Sequence, residues 1–339
     1  MQQKSILILR LSSIGDILLT TPFIRQLRHR FNQARIDYVT KKKFKELLQY
    51  NPHIDTIHEI DNNLSDLTFK LQKTSYDYIF DLHNNFRSIY IRSKLKSEFK
   101  GIIRKEKLNQ LLLLFLHINR YKDPRPIPSR YLATAEQLGV TDDNEGLELY
   151  WPEQIGIDTA DFLSNYGLDG DHKYVCLAPG AGFFTKRWPP EYYQQLIRLI
   201  NAHLNLKIVI LGGSGDAAIG EQLSHSDDVF NFCGKLSLLE SAVILSKGLA
   251  VVSNDTGLMH MATAVQKPVV AIFGSSIVEW GFAPFRCEHV LVEQSKLICR
   301  PCSHIGRHEC PQKHFRCMKE ITPARVFNAL RSLLEKQDQ

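Results

Sequence analysis

The fold prediction begins with residues 5–16, SILILRLSSIGD. The stretch opens as a continuous apolar strand at 5–11, and a short polar turn follows it. Helical periodicity then runs through four large apolar residues, Leu18, Leu19, Phe23 and Leu27. An apolar strand that passes through a polar turn into a helix is typical of parallel α/β sheets, because their strands are buried on both faces.

The same alternation of strands and helices continues in two series. In the first series, strands are predicted at 5–11, 35–40, 54–60 and 76–82. In the second they are predicted at 173–179, 206–213, 248–255 and 267–274, with a helix at 191–203. This succession predicts an α/β fold with two doubly wound, Rossmann-like domains, at 1–150 and 151–339, and a linker around 140–172. A ligand is expected in the cleft where the carboxyl ends of the two sets of strands face each other.

Length and charge agree with two domains and suggest an anionic partner. The chain has 339 residues, too many for one ordinary core. Its net charge is +6, but residues 1–130 hold 24 Lys and Arg against 12 Asp and Glu, whereas residues 131–339 hold 18 against 24. The basic half is interpreted either as a solvated surface or as a face for a nucleic acid, a phospholipid surface or a phosphorylated glycolipid.

The sequence predicts neither a membrane-spanning helix nor a signal peptide. The segment LLLLFLHI at 111–118 is shorter than the roughly 18 to 20 apolar residues that a membrane helix needs. It is expected to be a buried helix face, or at most a surface that touches lipid. The N-terminal residues lack the long apolar region and cleavage site of a signal peptide, so we expect a cytoplasmic protein.

The first candidate site is the turn LSSIGD at 11–16. Gly15 allows a close approach of the backbone, and Ser12 or Ser13 can cap the following helix. Asp16 is either a carboxylate favoured by the helix dipole, worth about 0.3–1 kcal/mol, or a functional group. The turn lacks the G-x-G-x-x-G spacing, which argues against a nicotinamide-dependent oxidoreductase.

The second candidate site is the loop PGAGFFTKRWPP at 179–190. Its glycines offer backbone donors beside Lys186 and Arg187, an arrangement that suits a phosphate group. A helix is expected to begin at Pro189 or Pro190, since proline is favoured at the first helical position.

The third candidate site is SNDTGLMH at 253–260, where a strand ends and a helix begins. The free N–H groups of a helix that starts at Thr256 and Gly257 form an anion site, and His260 lies about one turn into that helix. Asp255 is expected either to shape the turn or to hold His260. The alternative is a capping aspartate followed by an ordinary half-buried histidine.

Together these motifs resemble glycosyltransferase family 9, which contains the ADP-heptose:lipopolysaccharide heptosyltransferases. The resemblance runs from about residue 5 to residue 320 and rests on RLSSIGD, PGAGFFTKRWPPE, NDTGLMHMATA and PVVAIFGS, in that order. It implies a GT-B architecture with an acceptor-binding N-terminal domain and a donor-binding C-terminal domain. It also implies an inverting transfer that needs no metal ion.

The resemblance implies specific roles for residues of this chain. It assigns Asp16 as the general base, and it places Lys186, with Arg187 beside it, on the donor diphosphate. The donor phosphates are also assigned to Asp255, Thr256, Gly257 and His260. An acidic residue for the ribose falls on Asp216, with Glu221 as the second choice. On the acceptor side we expect Ser13, together with Asn85 and Arg87 of the DLHNNFR stretch at 81–87, which is otherwise a simple strand end with a polar turn.

A cysteine cluster lies near the C-terminus. Cys299, Cys302, Cys310 and Cys317 occur with His304, His308 and His314 among them. Reducing cytoplasmic conditions argue against disulfides, so we expect either a structural zinc or iron site, as in some members of the family, or unligated thiols. A catalytic metal is not expected, because four thiolates leave no open coordination position.

The predicted function is heptose transfer from ADP-heptose to the lipopolysaccharide inner core. We expect a monomer in peripheral contact with the inner membrane, without nucleic acid as a partner. Alternatives are a family member that uses another nucleotide sugar for another surface glycan, a relative that only binds sugar nucleotide, and a zinc-containing nucleic-acid-binding protein. The segment SIVEWGF at 276–282 differs from the sequence that is more common in the family, so the sequence does not identify the sugar that is transferred.

Overall fold

The strand predicted at 5–11 forms the centre of a five-stranded parallel sheet in the computed structural model, which describes residues 3–61, 63–121, 124–170 and 172–337. The strands of this first sheet are β1 (Ser5–Leu9), β2 (Arg35–Lys41), β3 (Thr56–Ile60), β4 (Tyr78–Asp81) and β5 (Phe99–Ile102). Their order across the sheet is β3-β2-β1-β4-β5, and every neighbouring pair is parallel. The chain reverses its direction of progress between β1 and β4, which makes the carboxyl ends of these two strands the switch point of the sheet.

A second parallel sheet has six strands. These are β6 (Tyr174–Ala178), β7 (Lys207–Ile210), β8 (Val229–Asn231), β9 (Val251–Asn254), β10 (Val269–Phe273) and β11 (His289–Glu293). The order is β11-β10-β9-β6-β7-β8, so the switch point lies between β6 and β9. The second and third candidate motifs follow these two strands, which places both motifs at the same edge of the sheet.

Thirteen α-helices occur in the described part of the chain. They are α1 (Ile14–Leu18), α2 (Thr21–Arg30), α3 (Leu64–Leu71), α4 (Phe86–Lys94), α5 (Lys107–Leu116), α6 (Ile127–Leu132), α7 (Glu153–Asn165), α8 (Pro190–His203), α9 (Ala217–Leu223), α10 (Leu238–Lys247), α11 (Gly257–Ala264), α12 (Arg316–Lys319) and α13 (Pro323–Gln337). The helix predicted at 191–203 is confirmed as α8, and Pro189 is its N-cap residue, as expected for a helix that starts with proline.

The chain divides into two compact units. The first contains residues 1–105 and 125–150, and the second contains residues 106–124 and 151–339. The prediction of a first domain at 1–150 therefore differs from the structure for the segment 106–124, which belongs to the second unit. The core of the second unit contains Val252 and Ile272 from the sheet, together with Leu196 of α8 and Leu330 of α13.

Several local predictions need correction. The helix predicted to run on from Gly15 is interrupted at Leu19–Thr20, and Pro22 lies in the first turn of the new helix α2. The predicted linker contains the 13-residue helix α7, whose Leu163 is buried. Residue 171 of that linker lies outside the described part.

Of the two predictions for 111–118, the buried helix face is wrong for most of the segment, and the surface that touches lipid stays a prediction. The segment lies in α5, where Leu113 is buried but Leu111 and Phe115 are 51% and 74% exposed. Within the described residues, none of the helices combines the length and the apolarity that would be needed to cross a membrane.

Candidate functional site

Asp16 lies at the switch point of the first sheet, in the first turn of α1. Ser13 is the N-cap residue of this helix, and its backbone N–H donates to Asp16 Oδ2 at 3.1 Å. The Ser13 hydroxyl also donates to Oδ2, at 2.8 Å, so the predicted cap Ser13 and the Asp16 side chain are joined at the start of the helix. The two bonds fix the carboxylate over the turn that joins β1 to α1.

Arg10 holds the other oxygen of this carboxylate. Its Nη2 lies 2.5 Å from Asp16 Oδ1, and both side chains are largely buried. The guanidinium also donates to the carbonyls of Ser12 and Leu82, at 3.0 and 2.6 Å. The carboxylate is therefore oriented by an arginine that is itself anchored to the ends of β1 and β4.

The ionisation of Asp16 follows from these contacts. Burial favours the neutral acid and raises the pKa, but the positive charge of Arg10 and the hydrogen bonds from Ser13 lower it further than burial raises it. The pKa of Asp16 therefore lies below its ordinary value, and the residue is an anion at neutral pH.

His83 is a neutral histidine beside this ion pair. Its Nδ1 lies 3.3 Å from the backbone nitrogen of Leu11, which makes Nδ1 the acceptor and Nε2 the protonated nitrogen. Burial, followed by the nearby charge of Arg10, lowers the pKa of His83 to about 3. The turn after β4 thus places a neutral imidazole close to Arg10 and Asp16.

The predicted acceptor residues Asn85 and Arg87 lie at the start of α4. Asn85 is the N-cap residue, and its side-chain oxygen accepts the N–H of Ser88 at 3.0 Å. Arg87 is exposed. Asp81 has a structural role, since it accepts the N–H of Asn84 at 2.6 Å and pairs with Arg92 at 2.8 Å. The polar turn is therefore built by Asp81 and Asn85, while Arg87 stays accessible to a ligand.

In the second unit, Lys186 and Asp255 come together from the two motifs at the switch point. Lys186 Nζ lies 2.6 Å from Asp255 Oδ2, and both side chains are largely buried. The hydroxyl of Ser276 donates to the same oxygen at 2.6 Å. Asp255 thus orients the lysine beside the beginning of α11.

Asn254 and Thr185 fix the loops around this pair. The buried amide of Asn254 donates to the carbonyl of Pro179 at 2.8 Å and accepts the backbone N–H of Trp188 at 3.2 Å. Thr185, also buried, accepts the backbone N–H of Arg307 at 2.9 Å. The loop that carries Lys186 is therefore attached both to the end of β9 and to the cysteine-containing segment.

The helix α11 begins as predicted. Thr256 is its N-cap residue and Gly257 its first residue, so the free N–H groups of the first turn lie next to Asp255 in the sequence. His260 is 3% exposed, and its ring centroid lies 6.4 Å from that of Phe282. The free N–H groups at the start of α11 and the ammonium group of Lys186, which Asp255 holds, are hydrogen-bond donors that suit a phosphate.

Arg187 and Asp216 line a cavity of about 420 Å³ next to the PGAG loop. The Nε of Arg187 donates to the carbonyl of Ala181 at 2.8 Å, which braces the loop. The Asp216 carboxylate lies so close to Gly180 that a Cβ on this glycine would come within 2.3 Å of it. Glu221, the second choice for the ribose, is exposed on α9.

The thiols of the other three cluster cysteines lie near Cys317. Burial, followed by the neighbouring thiols of Cys302 and Cys310, raises the pKa of Cys317 to about 12. The Sγ of Cys299 lies 3.6 Å from Nε2 of His314. Within the described ranges, however, no three His, Cys, Asp or Glu side chains are arranged to hold a metal ion. The predicted four-thiolate site is therefore not assembled in this geometry.

Sequence reasoning missed the residues that support the predicted ones. Arg10 and Ser276 lie in the quoted motifs, but no role was predicted for either. Arg300 was also missed, although its buried guanidinium donates to the carbonyls of Gly274 and Ser276 at 2.6 and 2.7 Å. The sequence around Arg300, which lies between Cys299 and Cys302, contains no pattern that predicts these hydrogen bonds to the carbonyls of Gly274 and Ser276.

Known proteins of similar sequence and structure align with nearly the whole chain. Lipopolysaccharide heptosyltransferase 2 of Salmonella typhimurium is 26% identical, covering 98% of this chain and 99% of its own. Among solved structures, a glycosyl transferase family 9 protein from Veillonella parvula has a TM-score of 0.83 at 24% identity, with 99% of both chains covered. E. coli ADP-heptose lipopolysaccharide heptosyltransferase II has a TM-score of 0.76 at 23% identity, with 99% and 100% covered. The predicted α/β fold of the GT-B class is confirmed.

A further solved structure is the iron-containing, dodecameric glycosyltransferase TibC of E. coli. It has a TM-score of 0.62 at 16% identity, and the match covers 99% of this chain and 78% of that one.

The sequence profile of glycosyltransferase family 9 (heptosyltransferase) matches residues 65–311, which is more than half of the chain. This range contains the PGAG loop with Lys186, the Asp255 turn and the start of α11. The chain therefore belongs to glycosyltransferase family 9, the heptosyltransferase family, and is a glycosyltransferase.

Proposed function

We propose that this enzyme transfers a heptose from ADP-heptose to the inner core of a lipopolysaccharide precursor, with inversion at the anomeric carbon. The observation that carries the proposal is the Lys186–Asp255 pair beside the first turn of α11, which places a buried, oriented ammonium group next to the free N–H groups of a helix start. The relatives, which are named as heptosyltransferases, support the choice of sugar.

Binding of the donor diphosphate is assigned to Lys186, Thr256, Gly257 and the first turn of α11. Asp255 keeps the lysine in place through the 2.6 Å contact, and Ser276 holds Asp255. A fixed ammonium and free backbone N–H groups stabilise the negative charge that develops as the diphosphate departs. His260 is assigned to the same phosphates from the next turn of the helix.

Binding of the donor nucleoside is assigned to the cavity beside the PGAG loop. Asp216 offers carboxylate oxygens that can accept hydrogen bonds from the ribose hydroxyls, and Arg187 braces the loop next to it. Aromatic side chains of Phe184, Trp188 and Phe315 line the same cavity, whose volume of about 420 Å³ falls in the range of small-molecule sites.

The acceptor is assigned to the first unit, with Asp16 as the general base. The acceptor hydroxyl oxygen forms a bond to the anomeric carbon as the bond between that carbon and the ADP oxygen breaks. The hydroxyl proton passes to the carboxylate of Asp16, and ADP leaves with the bonding electron pair. Ser13, Asn85 and Arg87 are assigned to the acceptor, whose anionic groups suit the net +12 of residues 1–130.

A donor screen tests this proposal. ADP-heptose, UDP-sugars and GDP-sugars are compared by thermal shift, and transfer to a lipopolysaccharide precursor is followed by mass spectrometry. We expect stabilisation by ADP-heptose and a product heavier by one heptose. Stabilisation by a UDP-sugar or a GDP-sugar alone would show that ADP-heptose is not the donor. The mass of the product identifies the sugar that is transferred. Retention of transfer in EDTA is the expected result for chemistry without a divalent ion.

A structural metal at Cys299, Cys302, Cys310 and Cys317 is a subsidiary proposal. Its support is the grouping of the four cysteines within 19 residues of sequence and the similarity to a solved structure that is named as iron-containing. Metal analysis of reduced protein is expected to find one zinc or iron per chain, lost in the double variant Cys302→Ser/Cys310→Ser and kept in Cys287→Ser. A metal content far below one per chain would exclude the site.

Monomeric state and peripheral contact with the inner membrane are also part of the proposal. The acceptor is a lipid-linked sugar, and the basic N-terminal half suits an anionic surface. Sedimentation analysis of the purified protein tests the oligomeric state, since a higher assembly would appear as a larger mass.

A further inference from the structure

The helix α5 leaves an apolar face uncovered. Five of the 15 large apolar side chains exposed in the described part of the chain lie within residues 108–118. Leu108, Leu111 and Phe115 have the i, i+3, i+7 spacing that places them on one face of the helix. Single exposed apolar residues are normal on a protein surface, but a contiguous stripe of this kind marks an interaction site.

The opposite face of α5 is attached to the second unit. Leu113 is buried against Ile277 and Trp280, and Tyr121 and Phe282 pack at the edge of this cluster. The face of α5 that carries Leu113 therefore attaches the helix to the second unit. Because this face is packed, the exposed stripe belongs to a helix that is already docked.

Positive charge surrounds the stripe. The segment 104–120 contains four cations, Arg104, Lys105, Lys107 and Arg120, and a single carboxylate, Glu106. An apolar stripe with lysine and arginine at its borders is the pattern of helices that lie in the interface of an anionic membrane. A second copy of the chain fits this face poorly, because a symmetric contact would bring the same cations together.

We propose that α5 is a membrane-docking helix, which inserts Leu108, Leu111 and Phe115 among the acyl chains of an anionic phospholipid bilayer. A ten-residue helix is about 15 Å long, so it lies in the interface and does not span the bilayer. The cations at its ends contact the lipid headgroups. This inference deepens the proposed function, because it rests on a lipid-linked acceptor that the enzyme meets at the membrane surface.

Binding to vesicles tests the proposal without donor or acceptor. The full-length protein is sedimented with vesicles of phosphatidylcholine alone, or with 30% phosphatidylglycerol added. We expect about tenfold stronger binding to the anionic vesicles, weakened by salt, and about a tenfold loss in the variant Leu111→Glu/Phe115→Glu. The matched control is Phe69→Glu/Ile157→Glu, which makes the same change at two exposed apolar residues elsewhere and is expected to bind normally.

The outcomes separate this inference from the proposed function. Vesicle binding lost only in the α5 variant, with thermal unfolding and transfer to a delipidated soluble acceptor unchanged, supports the docking helix. The docking-helix proposal is overturned if the wild-type protein does not bind anionic vesicles, or if the α5 variant binds them as strongly as wild type. A dimer that the α5 variant abolishes would assign the face to self-association instead. Failure of heptose transfer with normal vesicle binding contradicts the proposed function alone.

Discussion

The guanidinium of Arg10 lies 2.5 Å from the carboxylate of Asp16, and this ion pair sits directly after the central strand of the first sheet. The contact has two consequences for a proposed base. It fixes the direction in which the carboxylate points, and it lowers the pKa of Asp16, which keeps the residue ionised but makes it a weaker proton acceptor. Arg10 is therefore a positioning residue whose removal changes pH dependence as well as rate.

Replacement of Asp16 by asparagine removes the proposed base with little change of shape. We expect kcat to fall by about 10²–10⁴-fold, the usual contribution of general-base catalysis. Affinity for ADP, measured by calorimetry, is expected to stay within twofold, because donor binding is assigned to the other unit. Turnover near the wild-type rate would rule out the base role.

Replacement of Arg10 by glutamine changes the pH profile of the reaction. Without the positive charge the pKa of Asp16 rises, so the carboxylate is protonated at a higher pH. The acidic limb of kcat/KM is therefore expected to move to higher pH. Arg10→Lys is the matched control, since it keeps the charge and is expected to keep most of the wild-type profile. A profile that does not move in the glutamine variant would show that the ion pair does not tune the base.

The sequence predicts the fold well where strands are long and apolar, but it misses three of the four edge strands, β5, β8 and β11. β1, β6 and β10 are continuous apolar runs that pattern alone reveals. β5 has the sequence FKGI and β8 has only three residues, so their identity as strands depends on pairing with β4 and β7. Such pairing is a tertiary property that local sequence does not encode.

The candidate site divides in the same way. Residues at the two switch points, such as Asp16 and Asp255, follow from motif and strand order. The residues that hold them in place cannot be predicted in this way. Ser276, for example, lies 21 positions from Asp255 in the sequence, and no local pattern around it indicates the hydrogen bond between them. The sequence left two alternatives for α5, a buried face or a surface that touches lipid, for a related reason: an apolar run has the same composition whether it is buried or exposed.

Replacement of Lys186 by methionine tests the diphosphate site. The change removes the ammonium but keeps the length of the side chain, and a lost hydrogen bond to a charged group costs about 1.5–3 kcal/mol. We expect ADP to bind roughly 10–100-fold more weakly by calorimetry. Lys207→Met is the control, because Lys207 forms an ion pair of similar length with Asp228, more exposed and away from the motifs. Equal affinity of both variants for ADP would contradict the assignment.

The buried carboxylate of Asp37 is expected to control acid stability. Burial raises its pKa, but hydrogen bonds from His58, Arg35 and Tyr76 outweigh burial and lower the pKa to about 2. The ionised form therefore stabilises the fold above the unfolded pKa of about 3.9, and this contribution is lost as the pH falls towards 2. Asp37→Asn is expected to lose about 1–3 kcal/mol at pH 7, and the difference from wild type should shrink between pH 4 and pH 2.

Urea unfolding at pH 7 and pH 3 measures this difference. Asp161→Asn provides the control, because Asp161 is exposed on α7 and its loss is expected to cost little at either pH. A loss of stability in Asp37→Asn that is the same at both pH values would assign the effect to packing and not to ionisation.

Two glycines of one loop give a sharper test of the nucleoside site. A Cβ on Gly180 would lie 2.3 Å from the Asp216 carboxylate, whereas a Cβ on Gly182 meets no atom within 4 Å. Gly180→Ala must therefore displace the short side chain of Asp216, and Gly182→Ala leaves it in place. If Asp216 binds the ribose, ADP affinity falls by about tenfold or more in Gly180→Ala and in Asp216→Asn, while Gly182→Ala stays near wild type. Wild-type affinity in Gly180→Ala would instead mean that the donor does not depend on the position of Asp216.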